Sequence, residues 1–337
     1  MSYRYVLDLL SQFYPPPPSF TEHHLPDLYD RASAVPYVMA TARVFVITGA
    51  NTGIGKELAR ILYSRNARVY VGSRSEAKAA KTIAEIKQTW PGSRGELISL
   101  RLDLSDLSTI ADSARQFTNR ESKLHVLFNN AGVMNPPGGS KTAQGYELQL
   151  GVNNIGTFLF TKLLAPTLIS TAKSDGPGSV RVVWVSSSAA EAPYVPPGGV
   201  DMCDLHNRSK LSNWACYSLS KAGTILHALE FAQLHKEYGI ISVPLNPGNV
   251  NTELWRTQGR VAIIVLRVLF LHRPKYGAYS ELFAGLSPEV TMDKSGEWVG
   301  PWGRFLKLRK DLTLAAKPKD QGGYGDKRCI GSDGAED

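Results

Sequence analysis

Cysteine is scarce: the 337 residues hold three, Cys203, Cys216 and Cys329. Three cannot all pair, and none stands in a Cys-x-x-Cys spacing. A disulfide scaffold is therefore excluded, and a reducing, intracellular compartment is expected. The seven histidines show no metal-ligand spacing, so no metal is expected. His227 and His235, two helical turns apart, read as structural or solvent-facing. Nowhere is there an uncharged apolar run long enough to span a bilayer. Asp8 interrupts Val6-Leu7 and Leu9-Leu10, so Met1 to Phe13 makes a poor signal peptide. Acid is in short supply, leaving a formal charge of +8 at pH 7. Such an excess fits nucleic acid, a membrane or an acidic cofactor. No aromatic-studded basic stretch or zinc-finger spacing accompanies it, so nucleic acid is not expected.

What is present fits one large α/β domain: 43% of residues are hydrophobic and 20% charged. Residues 1–42 read as an extension. Tyr14 and Pro15 to Pro18 should form a stiff polyproline II piece, better suited to a surface strap than to an SH3-type ligand. From Arg43 onward strands and helices alternate, which predicts a doubly wound parallel sheet with helices on both faces. Strands are expected at 44–47, 68–72, 97–102, 124–128, 180–185 and 240–245. Helices are expected at 75–89, 105–117 with Ser105 as N-cap, 143–168 and 214–238. Residues 304–337 read as a basic tail, disordered over the last ~15.

The first strand runs into Thr48-Gly49-Ala50-Asn51-Thr52-Gly53-Ile54-Gly55 and then into the helix-patterned Lys56 to Leu62. Strand, glycine turn, helix is the arrangement that cradles a dinucleotide: glycine lets the backbone approach a pyrophosphate, and free N–H groups face its charge. The spacing is G-x-x-x-G-x-G rather than G-x-G-x-x-G. A plain strand-to-helix turn is the bland alternative.

Tyr217 and Lys221 stand at i and i+4, on one face of a predicted helix. A free phenol titrates near pKa ~10, and an adjacent cation favours the phenolate, bringing proton exchange with a substrate oxygen within reach. Alone, such a pair is common and reads rather as a half-buried tyrosine and a surface lysine on an ordinary helix. Upstream, Ser186, Ser187 and Ser188 follow the fifth strand, where ligands bind in open parallel sheets. Asn129-Asn130-Ala131-Gly132 ends the fourth, its small residues leaving room for a cofactor. Asn153 sits in an apolar helix, where it could brace Lys221 through water or satisfy a local carbonyl.

In that order these residues resemble the short-chain dehydrogenase/reductase family. The matching positions are Gly49, Gly53 and Gly55, Asp103, Asn130-Ala131-Gly132, Asn153, a serine after the fifth strand, Tyr217, Lys221, Pro247-Gly248 and Thr252. The resemblance covers roughly residues 43 to 255. More narrowly the chain is similar to the retinol-dehydrogenase-like branch and to the blue-light-inducible oxidoreductases of filamentous fungi. Thr21-Glu22, Leu25 to Leu28, Gly296 to Val299 and Pro301 to Arg304 suggest the latter. The resemblance implies a Rossmann fold over 43–303, with a substrate lid near 253–290. It implies that Ser187, with Ser186 and Ser188 as rivals, hydrogen-bonds the substrate oxygen, that Tyr217 is the acid/base, and that Lys221 lowers its pKa and holds the nicotinamide ribose. Asn153 would support a proton relay. Asn51, Thr52, Ile54, Asp103, Leu104, Val250 and Thr252 would join the glycines around the cofactor. Tyr29 to Ala42 is extra length relative to this pattern.

An NAD site usually carries a carboxylate at the end of the second strand. Here that place reads Val71-Gly72-Ser73-Arg74-Ser75, and Arg74 could pair with a 2′-phosphate, with Lys56 adding charge. NADP(H) is the expected cofactor. The 256–275 stretch holds Arg256, Arg260, Arg267, Arg273 and Lys275 and no acid. It reads as an apolar lid, as a helix lying at a membrane interface, or as a core helix with solvated arginines. The expectation is a cytoplasmic, or membrane-surface, oxidoreductase acting on an apolar carbonyl/alcohol pair, as a homo-oligomer if it follows its relatives. The rivals are a non-catalytic NADP(H)-binding sensor or scaffold and an NAD-retaining epimerase or dehydratase.

Overall fold

In the computed structural model, the residues described are 8, 11–29, 42–200, 211–257, 271–317 and 323. Strand β1 (Val44–Thr48) is buried at every position, as expected of a β-branched run covered on both faces. It pairs in parallel with β2 (Arg68–Ser73) on one side and β4 (Val126–Asn129) on the other. With β3 (Glu96–Arg101), β5 (Val180–Val185), β6 (Ile240–Leu245), β7 (Trp298–Gly300) and β8 (Arg304–Leu306), the sheet order is β3-β2-β1-β4-β5-β6-β7-β8. Only β8 is antiparallel to its neighbour. The strand order reverses between β1 and β4, and open α/β sheets bind their ligands at such a switch point.

Helices cover both faces. Against one lie α1 (Gly53–Ser64), α2 (Glu76–Thr89) and α6 (Pro274–Leu286), through Leu58, Ile61, Ile86, Leu282 and Phe283. Against the other lie α3 (Leu107–Thr118), α4 (Leu148–Asp175) and α5 (Asn213–Leu234), through Ile110, Phe117, Phe160, Leu164 and Phe231. By length and composition α4 could cross a membrane, but its Phe160, Leu164 and Leu168 are buried in this core. A third apolar cluster joins Ile225 and Leu226 to Leu312 and Ala315 of α7 (Lys310–Ala315).

Several expectations need correction. Helix α3 is capped by Asp106, whose carboxylate accepts from the Ser108 N–H, not by Ser105. Ser105 instead donates to Asp103. Helix α4 starts at 148 rather than 143, because Lys141 and Glu147 pair across a turn, and it runs on to 175 through a π turn at Gly151–Gly156. Residues 304–317 are not tail: β8 completes the sheet and Leu312 is fully buried. The signature residues 296–304 form the β7–β8 hairpin, and Trp302 takes φ 67°, a conformation that favours glycine.

The extension is more than a surface strap. Phe20, Leu25 and Leu28 enter the core, and Phe20 meets Phe283 edge-on. Glu22 pairs with Lys275 at 2.7 Å, so that lysine is not simply solvated. Tyr29 and Ala42 pair as an isolated antiparallel bridge. Residues 30–41 and most of the 261–271 lid segment lie outside the described residues.

Candidate active site

A cleft of about 1160 Å³ runs along the carboxyl ends of the strands. Its inner end is built by the β1–α1 turn. Gly49 and Gly53 take φ of 68° and 59°, and both line the cleft with Asn51, Thr52 and Ile54. Gly55 has a different task. It faces the protein, where an added Cβ would stand 2.6 Å from Asn130 Nδ2 and 3.0 Å from Ala50 Cα. Only glycine lets α1 start this close to the β4 turn. Asn130 in turn donates from its side chain to the Thr48 carbonyl at 2.7 Å, and the Ala131 N–H donates to Thr48 Oγ1 at 2.9 Å.

Asp103, Leu104, Asn130, Ala131, Gly132, Pro247, Gly248, Val250 and Thr252 all line the same cleft, as their motif positions predict. At the end of β2, Arg74 is exposed on the cleft lip between Ser73 and Ser75, with Lys78 nearby in the lining. Ser75 caps α2, accepting from the Lys78 N–H. Lys56 does not join them: it pairs with Glu85 of α2.

The reactive end is carried by α5. Ser212 caps this helix, and its first turns bring Tyr217 and Lys221 to the ends of β5 and β6. Ser187 lines the cleft beside the Tyr217 phenol and favours its ionised form. Ser186 is engaged elsewhere: it is buried and its hydroxyl donates to the Lys221 carbonyl at 2.7 Å. Ser188 opens the 3₁₀ turn Ser188–Glu191. Lys221 Nζ donates to the Val185 carbonyl at 2.8 Å and lies 5.8 Å from the Tyr217 ring centre.

Asn153, inside the π turn, holds both backbone groups of Val133: its Oδ1 accepts from the N–H at 2.8 Å and its Nδ2 donates to the carbonyl at 3.0 Å. It also donates to Ser220 at 2.9 Å. The bland expectation, a satisfied local carbonyl, is therefore met. Asn153 still lies beside Lys221, since a Cβ on Gly132 would stand 3.3 Å from both Asn153 Oδ1 and Lys221 Nζ.

The electrostatics differ from the expectation that Lys221 pulls the phenol down. Burial pushes Tyr217 up to about 12, and the nearby Ser187 hydroxyl only partly offsets it. Burial likewise brings Lys221 down to about 8, against the upward pull of Glu281. That glutamate, on α6, was not foreseen. It is fully buried, neither carboxyl oxygen meets a partner among the described residues, and burial raises its pKa well above the carboxylate range. Desolvation outweighs the attraction of Lys221.

Sequence reasoning missed Phe13, Met134, Trp214 and Asn246 in the lining, whereas Glu191, Tyr194 and Trp255 fall in the 189–212 loop and the 253–290 lid expected to meet the substrate. Asn246 could have been read from its place at the end of β6, next to Pro247. Phe13 carries no such signal.

The residues fit a nicotinamide dinucleotide. The cleft has a glycine-lined floor at a helix start, small residues after β4, and a Ser–Tyr–Lys group at its other end. The comparisons agree. A family model described as short chain dehydrogenase matches residues 43–196. A short-chain dehydrogenase/reductase of Phomopsis amygdali is 48% identical over 328 residues, covering 96% of this chain and 94% of that one. One from Emericella nidulans is 46% identical over 299 residues, covering 88% and 91%. Among solved structures, the Pseudomonas aeruginosa RhlG/NADP active-site complex superposes with a TM-score of 0.61 at 20% identity, covering 82% of this chain and 97% of that one. A Brucella melitensis 3-ketoacyl-(acyl-carrier-protein) reductase complexed with NADH does so at 0.58 and 23%, covering 78% and 98%. These two carry the fold, while the fungal relatives carry the kinship: the chain belongs to the short-chain dehydrogenase/reductase family, oxidoreductases that work with NAD(P)(H).

Proposed function

We propose that this protein is an NADP(H)-dependent oxidoreductase acting on the carbonyl/alcohol pair of an apolar small molecule: retinoid-like, steroid-like, an aldehyde or a polyketide-type ketone. The observation that carries the reading is the gathering of Ser187, Tyr217 and Lys221 at one cleft wall, with Lys221 Nζ 5.8 Å from the Tyr217 ring centre. Arg74 supports the choice of NADP(H): it is exposed at the lip, Val71 to Ser75 hold no carboxylate, and a guanidinium suits a 2′-phosphate. The exposed rings of Tyr194 and Trp214 at the outer end favour an apolar substrate.

Held by the glycine turn and Lys221, a nicotinamide would supply or take up the hydride. The chain's own part is proton handling and orientation. A phenol near 12 is protonated at neutral pH, so Tyr217 stands ready to give its proton to a carbonyl oxygen. Ser187 donates to the same oxygen and fixes its place. Lys221, charged below about pH 8, stabilises the phenolate left behind and offers N–H donors to the ribose. Asn153 keeps Val133, and so the post-β4 segment, in position. Cytoplasmic residence, contact of the 256–275 stretch with a membrane surface, and assembly of like subunits belong to the same proposal.

A carbonyl panel read by NADPH absorbance tests it. Tyr217→Phe should cut turnover about 10²–10⁴-fold while NADPH affinity stays within about twofold by fluorescence titration. Full activity in that variant would overturn the mechanism. Equal or tighter binding of NADH would overturn the cofactor choice.

A further inference from the structure

The extension reaches the reactive end of the cleft. Gln12 is buried, and its amide is engaged on both sides. Its Nε2 donates to Glu191 Oε2 at 2.9 Å, and its Oε1 accepts from Asn246 Nδ2 at 2.8 Å. Glu191 ends the 3₁₀ turn that begins at Ser188, and Asn246 follows β6 directly. Asn246 also accepts the Gly248 N–H at 3.0 Å. One side chain of the extension therefore ties the turn that carries Ser187 to the turn that lines the cofactor end.

The next residue, Phe13, lines the cleft itself and is 42% exposed. Tyr194, 47% exposed, and Trp214, 40% exposed, line it too. Each of these three large rings is exposed along one cleft, and exposed apolar surface gathered at a cleft marks ligand or partner sites. The segment is held in register on both flanks. Arg304 Nη2 donates to the Ser11 carbonyl at 2.6 Å, and Ser19 Oγ donates to the Gly303 carbonyl at 2.6 Å. Pro15 to Pro18 lie between these ties and limit the freedom of the backbone.

We infer that the N-terminal segment is a substrate-selecting wall: Phe13 gives the apolar, ring-bearing part of a carbonyl substrate a surface to lie on, and Gln12 is the positioning residue that holds that ring against the Ser187 turn. The inference rests on the carbonyl reading of the site. It adds that substrate choice is set by residues far outside the part of the chain that carries the reaction.

The test compares the wild type with Phe13→Ala, Phe13→Tyr and Gln12→Ala, each as the full-length protein. Two carbonyls are used, a bulky cyclic ketone and a short aliphatic aldehyde. For Phe13→Ala the ratio of kcat/KM, ketone over aldehyde, should fall about tenfold, carried by KM. Phe13→Tyr, which keeps the ring, should restore it, and Gln12→Ala should move the ratio the same way to a smaller extent. A fall of both substrates in step with NADPH affinity would mean that the segment only props the fold, and would overturn the inference, as would an unchanged ratio. If no carbonyl is turned over, the carbonyl reading itself fails. Binding of the apolar dye 8-anilinonaphthalene-1-sulfonate to the NADP⁺-saturated protein then decides. Weaker dye binding in Phe13→Ala supports the wall, and equal binding overturns it.

Discussion

The inner wall of the cleft is made by strand-to-helix turns, while the outer wall is gathered from distant parts of the chain. Gly49, Gly53, Arg74 and Asp103 each follow a strand of the parallel sheet within a few residues. Phe13, Glu191, Trp214 and Trp255 come from four separate segments. The inner wall depends on close backbone approach, as at Gly55, where a Cβ would strike Asn130 and Ala50. The outer wall is joined by side-chain ties such as Gln12 to Glu191 and Asn246. A family can keep the first and rebuild the second, which is how one fold serves many substrates.

Helix α5 is shared by both walls, and disturbing it should have the largest effect. His227 is fully buried, stacked at 4.9 Å on Phe158 and 5.9 Å from Trp184, and burial brings its pKa from 6.5 down to about 4. The unfolded chain therefore takes up a proton before the folded one does. Stability should fall as pH drops from about 6.5 to 4, by on the order of 3 kcal/mol from this group. Urea unfolding across that range should show a shallower decline in His227→Phe. Equal slopes would place the acid sensitivity elsewhere, with His125 the next group to test. Its Nδ1 accepts from the Val44 N–H at 2.9 Å, a bond that protonation of that nitrogen would break.

A smaller effect should mark the inner wall alone. Arg74→Glu should weaken NADPH about 10–100-fold and leave NADH within about twofold. Equal losses for both cofactors would mean that this lip supports the turn rather than reading a phosphate. The smallest effect should come from an outlying tie of the extension. Hydrogen bonds from Lys275 and Tyr279 outweigh burial and hold Glu22 at about 2. Its contribution is therefore present above pH 4.5 and is lost as pH falls towards 2. Because the Lys275 end of the pair is well exposed, Glu22→Gln should cost less than about 1 kcal/mol at neutral pH by thermal unfolding. A larger loss would mean that the extension is as rigidly built in as the inner wall.

The same contrast explains what could be read from the sequence. Strands β5 and β6 fall where their β-branched runs begin and end, because a strand buried on both faces has few other compositions open to it. The Ser–Tyr–Lys group was legible because strand ends and helix spacing fix where those side chains meet. The cap of α3 was not: Ser105 and Asp106 are both good caps, and the choice fell to the residue not already engaged with Asp103. Strands β7 and β8, three residues each, are too short to show a period. The high pKa of Tyr217 was missed because desolvation depends on everything packed around a group, whereas the lysine at i+4 is visible in the sequence. Phe13 and Glu281 were missed for a related reason, since only the folded chain brings them to the cleft or near Lys221.

Tyr29 and Ala42 stand side by side across one bridge, which makes a doorway just ahead of β1. The free energy of closing a loop grows only slowly with its length. Residues between those two posts can therefore be trimmed, lengthened or replaced by a reporter without pulling on β1. That makes the doorway a natural place to splice in cargo while both ends of the catalytic body stay untouched.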